Sequence, residues 1–190
     1  MSGTYLANPL LFLIDTLFSL YILAVMLRFL LQWVRADFFN PISQFLVSIT
    51  QPPLKPLRRV VPGIAGIDLS SVVLMVLLQM ALLSLIMLIK YGTVALGPVL
   101  LRTPVELIGL LFNLYVFAII IQAVLSWVNP DPYNPVHTVL FRITEPVLRP
   151  FRNVIPPLGG MDLSPLAAII MLQVLKMLVM PPLNSVAPPI

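Results

Sequence analysis

Four long apolar runs, separated by more polar stretches, make up most of the chain. A helix needs about 20 mostly apolar residues to cross the hydrocarbon core of a bilayer, because each residue advances it by about 1.5 Å. The runs that reach or approach this length are residues 10–33, 69–89, 105–128 and 163–180. The last run is the shortest and stops at Pro181-Pro182, where we expect the helix to end. The pattern predicts four transmembrane helices.

Two long connectors join these runs, and each contains a shorter helical pattern. An Asn-Pro pair at Asn40 and again at Asn134 suits a helix start, because Asn caps free backbone amides and Pro fits the first turn. Apolar residues then recur at helical spacing: Ile42, Phe45, Leu46, Ile49, Val136, Val139, Leu140 and Ile143. Helices this short cannot span the bilayer, so we expect them to lie in the membrane interface. We expect them to end around Thr50 and Thr144, because a Pro two positions later disfavours the α conformation.

One segment occurs twice in the chain. Residues 33–70 align without a gap to residues 127–164, and 18 of the 38 aligned pairs are identical. The identical pairs include Trp, Asp, Asn, Pro, Thr, Arg and Gly, so apolar composition alone does not explain the match. The chain is therefore predicted to be a duplication of one structural unit.

The duplication divides the chain into residues 1–94, with connector 34–68, and residues 95–190, with connector 129–162. Each repeat has two spans, which return the chain to its starting side of the membrane. The two copies are therefore expected to be parallel, related by an axis along the membrane normal. The predicted fold is an all-α integral membrane protein in which each direct repeat is a span, an amphipathic interfacial connector and a second span.

The composition excludes a water-soluble protein. The chain is 59% hydrophobic and 9% charged, whereas a soluble domain carries about 25% charged residues. It contains no Cys, which rules out disulfides, thiol nucleophiles and Cys-based zinc sites. No nucleotide-binding or metalloprotease motif occurs, so we expect no cofactor and no metal. The net charge of +4 comes from a few basic residues near membrane ends, and we expect no nucleic-acid partner.

The basic residues also predict an orientation. The two long connectors hold seven Lys and Arg residues, the short connector between the repeats holds two, and the tails hold none. Cytoplasmic loops are enriched in Lys and Arg. We therefore expect a bacterial inner-membrane protein with its long connectors in the cytoplasm and both ends of this chain in the periplasm.

The duplicated segment also resembles a known family. In each copy the order is a Trp, Asn-Pro, Thr-x-Pro, Leu-x-Pro-x-Arg, a further Pro and Asp-Leu-Ser. This series resembles the YggT family of bacterial membrane proteins, which is also found in plastids and whose bacterial members often carry the unit twice. The resemblance implies a protein without established enzymatic activity. It also implies links with osmotic and potassium tolerance in bacteria, and with division or cytochrome assembly in Gram-positive and plastid relatives.

Two acidic residues each follow an Arg by ten positions: Asp68 after Arg58, and Asp162 after Arg152. One interpretation is an ion pair that folds each connector back against the mouth of the next span, because charges near the membrane tend to pair. The other is that each Asp caps the next helix while each Arg meets a lipid phosphate. The second interpretation is favoured, and the two are compatible.

Polar residues within the predicted spans form a second candidate set: Asp15, Ser19, Arg28, Gln32, Gln79, Gln122, Ser126 and Gln173. Arg28 and Gln122 occupy equivalent positions in the two copies. One interpretation is a polar path for ions. The favoured one is hydrogen bonding between packed helices, because conduction usually needs rings of charge or of carbonyls and four spans would have to oligomerise to form them.

Three classes of function are compared on these grounds. The favoured one is a non-enzymatic scaffold or assembly factor whose connectors bind anionic lipid head groups and an unknown membrane protein, or a second copy of the chain. The alternative is a small channel, transporter subunit or regulator of potassium or osmolyte flux. An intramembrane enzyme is disfavoured, because Asp15 and Arg28 are separated by roughly 20 Å of helix and cannot act together.

Overall fold

The computed structural model describes residues 2–63, 66–128, 134–156 and 162–187. These residues form six helices: α1 (Ser2–Trp33), α2 (Pro41–Val60), α3 (Leu69–Tyr91), α4 (Leu96–Val128), α5 (Pro135–Val154) and α6 (Ser164–Val186). Four of them are long and apolar enough to cross a membrane over Asn8–Trp33, Leu69–Tyr91, Leu96–Ser126 and Ser164–Val186. The predicted fold class is confirmed, since a span, an amphipathic helix and a second span occur twice in direct order.

Three of the membrane helices extend further than the sequence predicts, and α1 begins at Ser2 instead of residue 10. The α4 helix begins at Leu96, well before residue 105, and α6 continues through Pro181 and Pro182 to Val186. The expectation that α6 ends at its Pro pair is therefore wrong.

Arg102 accounts for part of this extension, because it joins the start of α4 to the end of α6. Its Nη1 donates to Asn184 Oδ1 at 2.6 Å and to the carbonyl of Ala187 at 3.0 Å. The last carbonyls of a helix have no partner within the helix, and this contact supplies one.

The prediction that α2 and α5 end around Thr50 and Thr144 is also wrong. Each helix continues beyond its Thr and carries two or more Pro residues in its interior. Most of these Pro residues are exposed: Pro52, Pro56, Pro146 and Pro150. A Pro frees the carbonyl four residues earlier, on the same helix face. On the exposed face that carbonyl can bond to water or a head group, so the helix continues.

Pro53 is the exception, because it is only half exposed and packs nearer the bundle. It leaves the carbonyl of Ile49 without its helical partner. The hydroxyl of Tyr21 on α1 donates to that carbonyl at 3.0 Å. A side chain of the first span thus replaces the hydrogen bond that Pro53 removes.

The four spans form an open arrangement. The α3 and α4 helices pack together in the middle, α1 packs mainly on α3, and α6 packs on α4. Within the described residues α1 and α6 do not touch. The amphipathic helices α2 and α5 pack against the connector-side half of the bundle and contact each other. We call α2 and α5 together the connector platform.

The main apolar core lies where the connector platform meets the spans. Its fully buried members come from α1, α2 and α5: Ile22, Val25, Leu30, Leu31, Leu54 and Ile143. A smaller cluster joins Leu148 of α5 to Ile119 of α4 and Ala168 of α6. The amphipathic helices are therefore integral parts of the folded core.

The apolar stripe predicted for α2 is partly wrong. Leu46 is buried and Ile42 and Ile49 are half-buried, as expected, but Phe45 is 61% exposed. The buried face is formed by Ser43, Leu46, Thr50 and Leu54. This face includes two hydroxyls. Arg28 of α1 donates to the Thr50 hydroxyl, whereas the buried Ser43 hydroxyl has no hydrogen-bond partner among the described residues. Phe45 lies on the outward side of the helix.

The Tyr21 hydrogen bond can be tested by mutation, and the second repeat supplies a matched control. Tyr21→Phe should lower the free energy of unfolding by about 1 kcal/mol, because the partly buried Ile49 carbonyl loses its donor. In a Pro53→Ala background the loss should be smaller, since Ala supplies the missing amide. Thermal unfolding in detergent measures both effects.

Tyr115 is the matched control. It occupies the position of Tyr21 in the second repeat, but there Val147 replaces Pro53 and keeps its amide. Tyr115 makes no hydrogen bond in the described part of the chain, so Tyr115→Phe should change stability little. Equal losses for both Tyr variants would contradict the interpretation.

Candidate functional site

Each helix of the connector platform begins at the predicted Asn-Pro pair. The Oδ1 of Asn40 accepts from the amide of Ile42 at 2.9 Å, and Asn134 does the same for Val136 at 2.9 Å. Both Asn residues are therefore N-caps, as the sequence predicts. Asn40 also donates from Nδ2 to the carbonyl of Pro135 at 2.9 Å. This bond links the starts of the two platform helices, so one surface is built from both copies.

In the first copy, Arg58 ties the end of α2 to the start of α3. Its Nη2 lies 2.5 Å from Oδ2 of Asp68, a residue that is only 5% exposed. The Ser71 hydroxyl donates to the same oxygen at 2.8 Å. Burial acts to raise the pKa of Asp68, but the hydrogen bonds and charge of Arg58 and Ser71 together hold it below its ordinary value. Asp68 makes no side-chain cap to α3, so here the ion pair replaces the predicted cap.

In the second copy, Asp162 has both predicted roles. Its Oδ2 accepts from Nε of Arg152 at 3.0 Å. From one position before the N-cap residue Leu163, its Oδ1 accepts from the amide of Ser164, the first residue of α6, at 2.9 Å. Burial acts to raise the pKa of Asp162, but the bonds from Ser164 and Arg152 outweigh it and lower that pKa. Arg152 also forms an ion pair with Glu145.

A buried polar contact holds the middle of each platform helix to the preceding span. In the first copy Arg28, 4% exposed, donates to Thr50 Oγ1 at 2.8 Å, to Gln51 Oε1 at 2.7 Å and to the carbonyl of Val47 at 3.2 Å. None of these partners is charged. Burying an Arg without a carboxylate is costly, and the bonds to three oxygens offset part of that cost.

The second copy repeats this contact without the charge. Gln122 replaces Arg28 and hydrogen-bonds to Thr144, which matches Thr50. The structure thus pairs Arg28 with Thr50 and Gln122 with Thr144, which supports the helix-packing interpretation over the polar path. Glu145 takes the place of Gln51 and binds Arg152 instead. In the first copy the positive charge of Arg28 has only neutral partners. In the second copy Glu145 and Asp162 share the one positive charge of Arg152, so one negative charge is in excess.

A cavity of about 670 Å³ opens beside Arg28 in the first copy. It is lined by Arg28, Gln32, Phe38, Gln44, Val47, Ser48, Gln51 and Arg58. Its only charged lining groups are the two Arg side chains. An anionic group is therefore the ligand that this cavity suits best.

The outward face of the connector platform is basic and apolar at once. Its exposed cations form no ion pair among the described residues: Lys55, Arg59, Arg142 and Arg149. Large apolar side chains lie among them, with exposures of 61% for Phe45, 79% for Val60 and 78% for Val154. Basic residues beside exposed apolar side chains are typical of helices that bind an anionic membrane surface.

The polar residues deeper in the spans meet elsewhere, on the side of the bundle away from the connector platform. A cavity of about 420 Å³ lies between α1, α3, α4 and α6, and we call it the outer cleft. Its polar lining residues are Asp15, Ser19, Gln79, Lys90, Arg102, Glu106, Asn113 and Lys176. Gln173, the equivalent of Gln79, is exposed on α6 and does not line it.

Sequence reasoning missed the convergence of charges at the outer cleft. Arg102 and Glu106 form an ion pair at 2.6 Å one helical turn apart, a spacing visible in the sequence. The predicted start of α4 near residue 105 hid this signal. Lys176 on α6 donates to Asn113 on α4 at 2.6 Å.

No metal-binding group of His, Cys, Asp and Glu occurs among the residues that the structure describes. His137 lies on α5, where its ring stacks on Phe141 with centroids 6.4 Å apart. Tyr133 and the other residues of 129–133 lie outside the described residues, as do Gly160 and Met161.

The sequence matches one family model twice, and each match covers one repeat. The model describes the CCB3/YggT family and matches residues 7–89 and 101–183. The chain belongs to the CCB3/YggT family. The resemblance seen in the duplicated segment is therefore confirmed.

Related proteins support the same family. The chain is 48% identical over 170 residues to an uncharacterized protein of Pseudomonas aeruginosa, covering 88% of this chain and 86% of that one. It is 38% identical over 176 residues to the uncharacterized protein YggT of Escherichia coli K12, covering 90% and 88%. The uncharacterized protein ycf19 of Porphyra purpurea matches only 67 residues, at 40% identity, covering 35% of this chain and 70% of its own. No solved structure matches.

The two ion pairs predict unequal losses of stability. Asp68→Asn should lower the free energy of unfolding by about 1–3 kcal/mol. The substitution replaces the buried carboxylate that binds Arg58 with a neutral amide, which is a weaker partner. Asp162→Asn should cost less than about 1 kcal/mol, since the Asp162 side chain is 42% exposed and Asn can still cap α6.

The pH dependence checks the cause of this loss. Because the pKa of Asp68 is lowered, its contribution is complete above the ordinary carboxyl pKa of about 4 and disappears as pH falls through the lower folded value. The difference in melting temperature between wild type and Asp68→Asn should therefore shrink in acid. A difference that stays constant down to about pH 2 would contradict the ion-pair origin.

Proposed function

We propose that the chain is a non-enzymatic, multi-pass inner-membrane scaffold or assembly factor whose connector platform docks anionic lipid head groups and a membrane-protein partner. The observation that supports this most is the platform itself. Two amphipathic helices, one from each repeat, are fastened to the spans and joined by the Asn40 bond to Pro135. They present unpaired cations beside exposed apolar side chains.

The charge distribution supports a cytoplasmic location for this platform. Four of its exposed cations form no ion pair among the described residues, namely Lys55, Arg59, Arg142 and Arg149, whereas Arg102 on the opposite side is paired with Glu106. A basic residue near the anionic cytoplasmic leaflet contributes about 1 kcal/mol to binding. The connectors are therefore proposed to face the cytoplasm and both ends of this chain the periplasm.

The carboxylates of the connectors support a scaffold better than a catalyst. Asp68, Asp162 and Glu145 are each engaged in ion pairs that hold the helices in place. A general acid or base needs a titratable group free to exchange a proton with substrate. These groups position a surface, and through its partners that surface is proposed to contribute to osmotic or ion homeostasis.

Solute or ion flux is a second candidate, and the outer cleft is the observation that favours it. The cleft brings several charged side chains together inside the bundle. However, the apolar core around Ile22, Val25 and Leu74 lies between it and the connector platform. A single copy therefore suits regulation of flux by a partner better than conduction.

Removal of the platform charges tests the lipid part of the proposal. The variant Lys55→Gln, Arg59→Gln, Arg142→Gln, Arg149→Gln should retain less phosphatidylglycerol after purification, because about 1 kcal/mol is lost for each cation. Native mass spectrometry measures the bound lipid. A variant that exchanges Lys for Arg and Arg for Lys at the same positions is the control, and it should retain lipid as the wild type does.

Site-specific crosslinking in native membranes tests the partner. A photoreactive residue at Phe45 faces outward on the platform, whereas one at Leu178 lies on the lipid-facing side of α6 and serves as the control. The proposal expects a discrete protein adduct from Phe45 that weakens in the charge-removal variant. If both positions give lipid adducts alone, the scaffold proposal fails while the lipid proposal stands.

A further inference from the structure

The outer cleft holds two opposite charges that are not paired with each other. Asp15 on α1 makes no hydrogen bond or ion pair with any residue that the structure describes. Lys176 on α6 is held only by the neutral side chain of Asn113. An isolated charge within a span is unfavourable, so such residues normally have a partner.

Each of these charges occurs in only one of the two copies. In the second repeat Gly109 replaces Asp15, and in the first repeat Leu82 replaces Lys176. The acid and the base therefore lie only on the outermost spans, α1 and α6, which do not touch within the described residues. The duplicated unit does not require either charge, so packing of the repeat does not explain them.

The other charged groups of the cleft are Lys90, Arg102 and Glu106, and each of them already has a partner. Arg102 binds Glu106, Asn184 and the carbonyl of Ala187. A simple cation would neutralise Asp15 and leave Lys176 without a counter-charge, and a simple anion would do the reverse. A molecule that carries one positive and one negative group can pair with both Asp15 and Lys176.

We propose that the outer cleft binds a small zwitterion, with its ammonium group at Asp15 and its phosphate or carboxylate group at Lys176. The cleft has the space, because its volume of about 420 Å³ lies within the roughly 300–1,000 Å³ of ordinary small-molecule sites. Gly109 contributes to this space by having no side chain, and a Cβ there would come within 3.4 Å of Met180 Cε. The ligand can be a free solute or the head group of phosphatidylethanolamine entering between α1 and α6.

Two arms distinguish these sources. In the first, phosphoethanolamine is titrated onto the full-length protein in phosphatidylglycerol nanodiscs, and the melting temperature is followed. In the second, the nanodiscs contain phosphatidylethanolamine and no free zwitterion is added. Saturable stabilisation in the first arm identifies a free solute as sufficient, and stabilisation in the second arm alone identifies the lipid; either result supports the site.

Three variants that should weaken binding and two control variants test the site itself. Asp15→Asn and Lys176→Gln should each weaken the apparent affinity by at least about tenfold, and Lys176→Arg should retain it because the charge remains. Gly109→Leu should abolish binding by filling the cleft while both charges remain. Asp37→Asn, an equal charge change on the connector side, should leave binding unaltered, and circular dichroism without ligand confirms that each variant folds.

Two results would overturn the proposal. One is the absence of stabilisation by any zwitterion in either arm. The other is equal stabilisation by ethylammonium or by glycerol phosphate alone, since the cleft would then recognise a single charge. Neither result bears on the connector platform, so this inference fails or stands separately from the proposed function.

Discussion

The position of the connector platform depends on two Arg–Asp pairs, one in each repeat. After each amphipathic helix the chain must turn and enter the hydrocarbon core at once, where an unpaired charge is unfavourable. Arg58 with Asp68, and Arg152 with Asp162, place a charge at the end of one helix against its counter-charge at the start of the next. The pairs therefore fix where each platform helix ends and each following span begins.

The same architecture carries different charges in the two copies. At the contact between span and platform, Arg28 and Gln51 of the first copy become Gln122 and Glu145 of the second. A Thr hydroxyl suits both copies because it can either accept or donate a hydrogen bond. Thr50 accepts from the guanidinium of Arg28, and Thr144 donates to the side-chain amide oxygen of Gln122. A single backbone thus supports a cationic cavity in one half. In the other half Glu145 and Asp162 share Arg152, which leaves one excess negative charge.

The connector platform and the outer cleft differ in whether they use residues that the two copies share. The connector platform uses residues from both copies to form one continuous basic and apolar surface. The outer cleft uses charges that each copy has alone, on spans that do not touch within the described residues. A duplicated unit can present a common surface where its copies agree, and form a distinct site where they differ.

The sequence by itself determined the four spans, the duplication and the Asn caps, because these depend on local composition and on backbone chemistry near each residue. The family followed from the order of residues in the duplicated segment. The true ends of α4 and α6 and the continuity of α2 through its Pro residues were not predictable in this way. They depend on Arg102 and Tyr21, which supply hydrogen bonds from distant helices to carbonyls that the local chain leaves free. Only the tertiary structure brings Asp15 and Lys176 to one cavity, because helix packing sets which residues of separate spans converge.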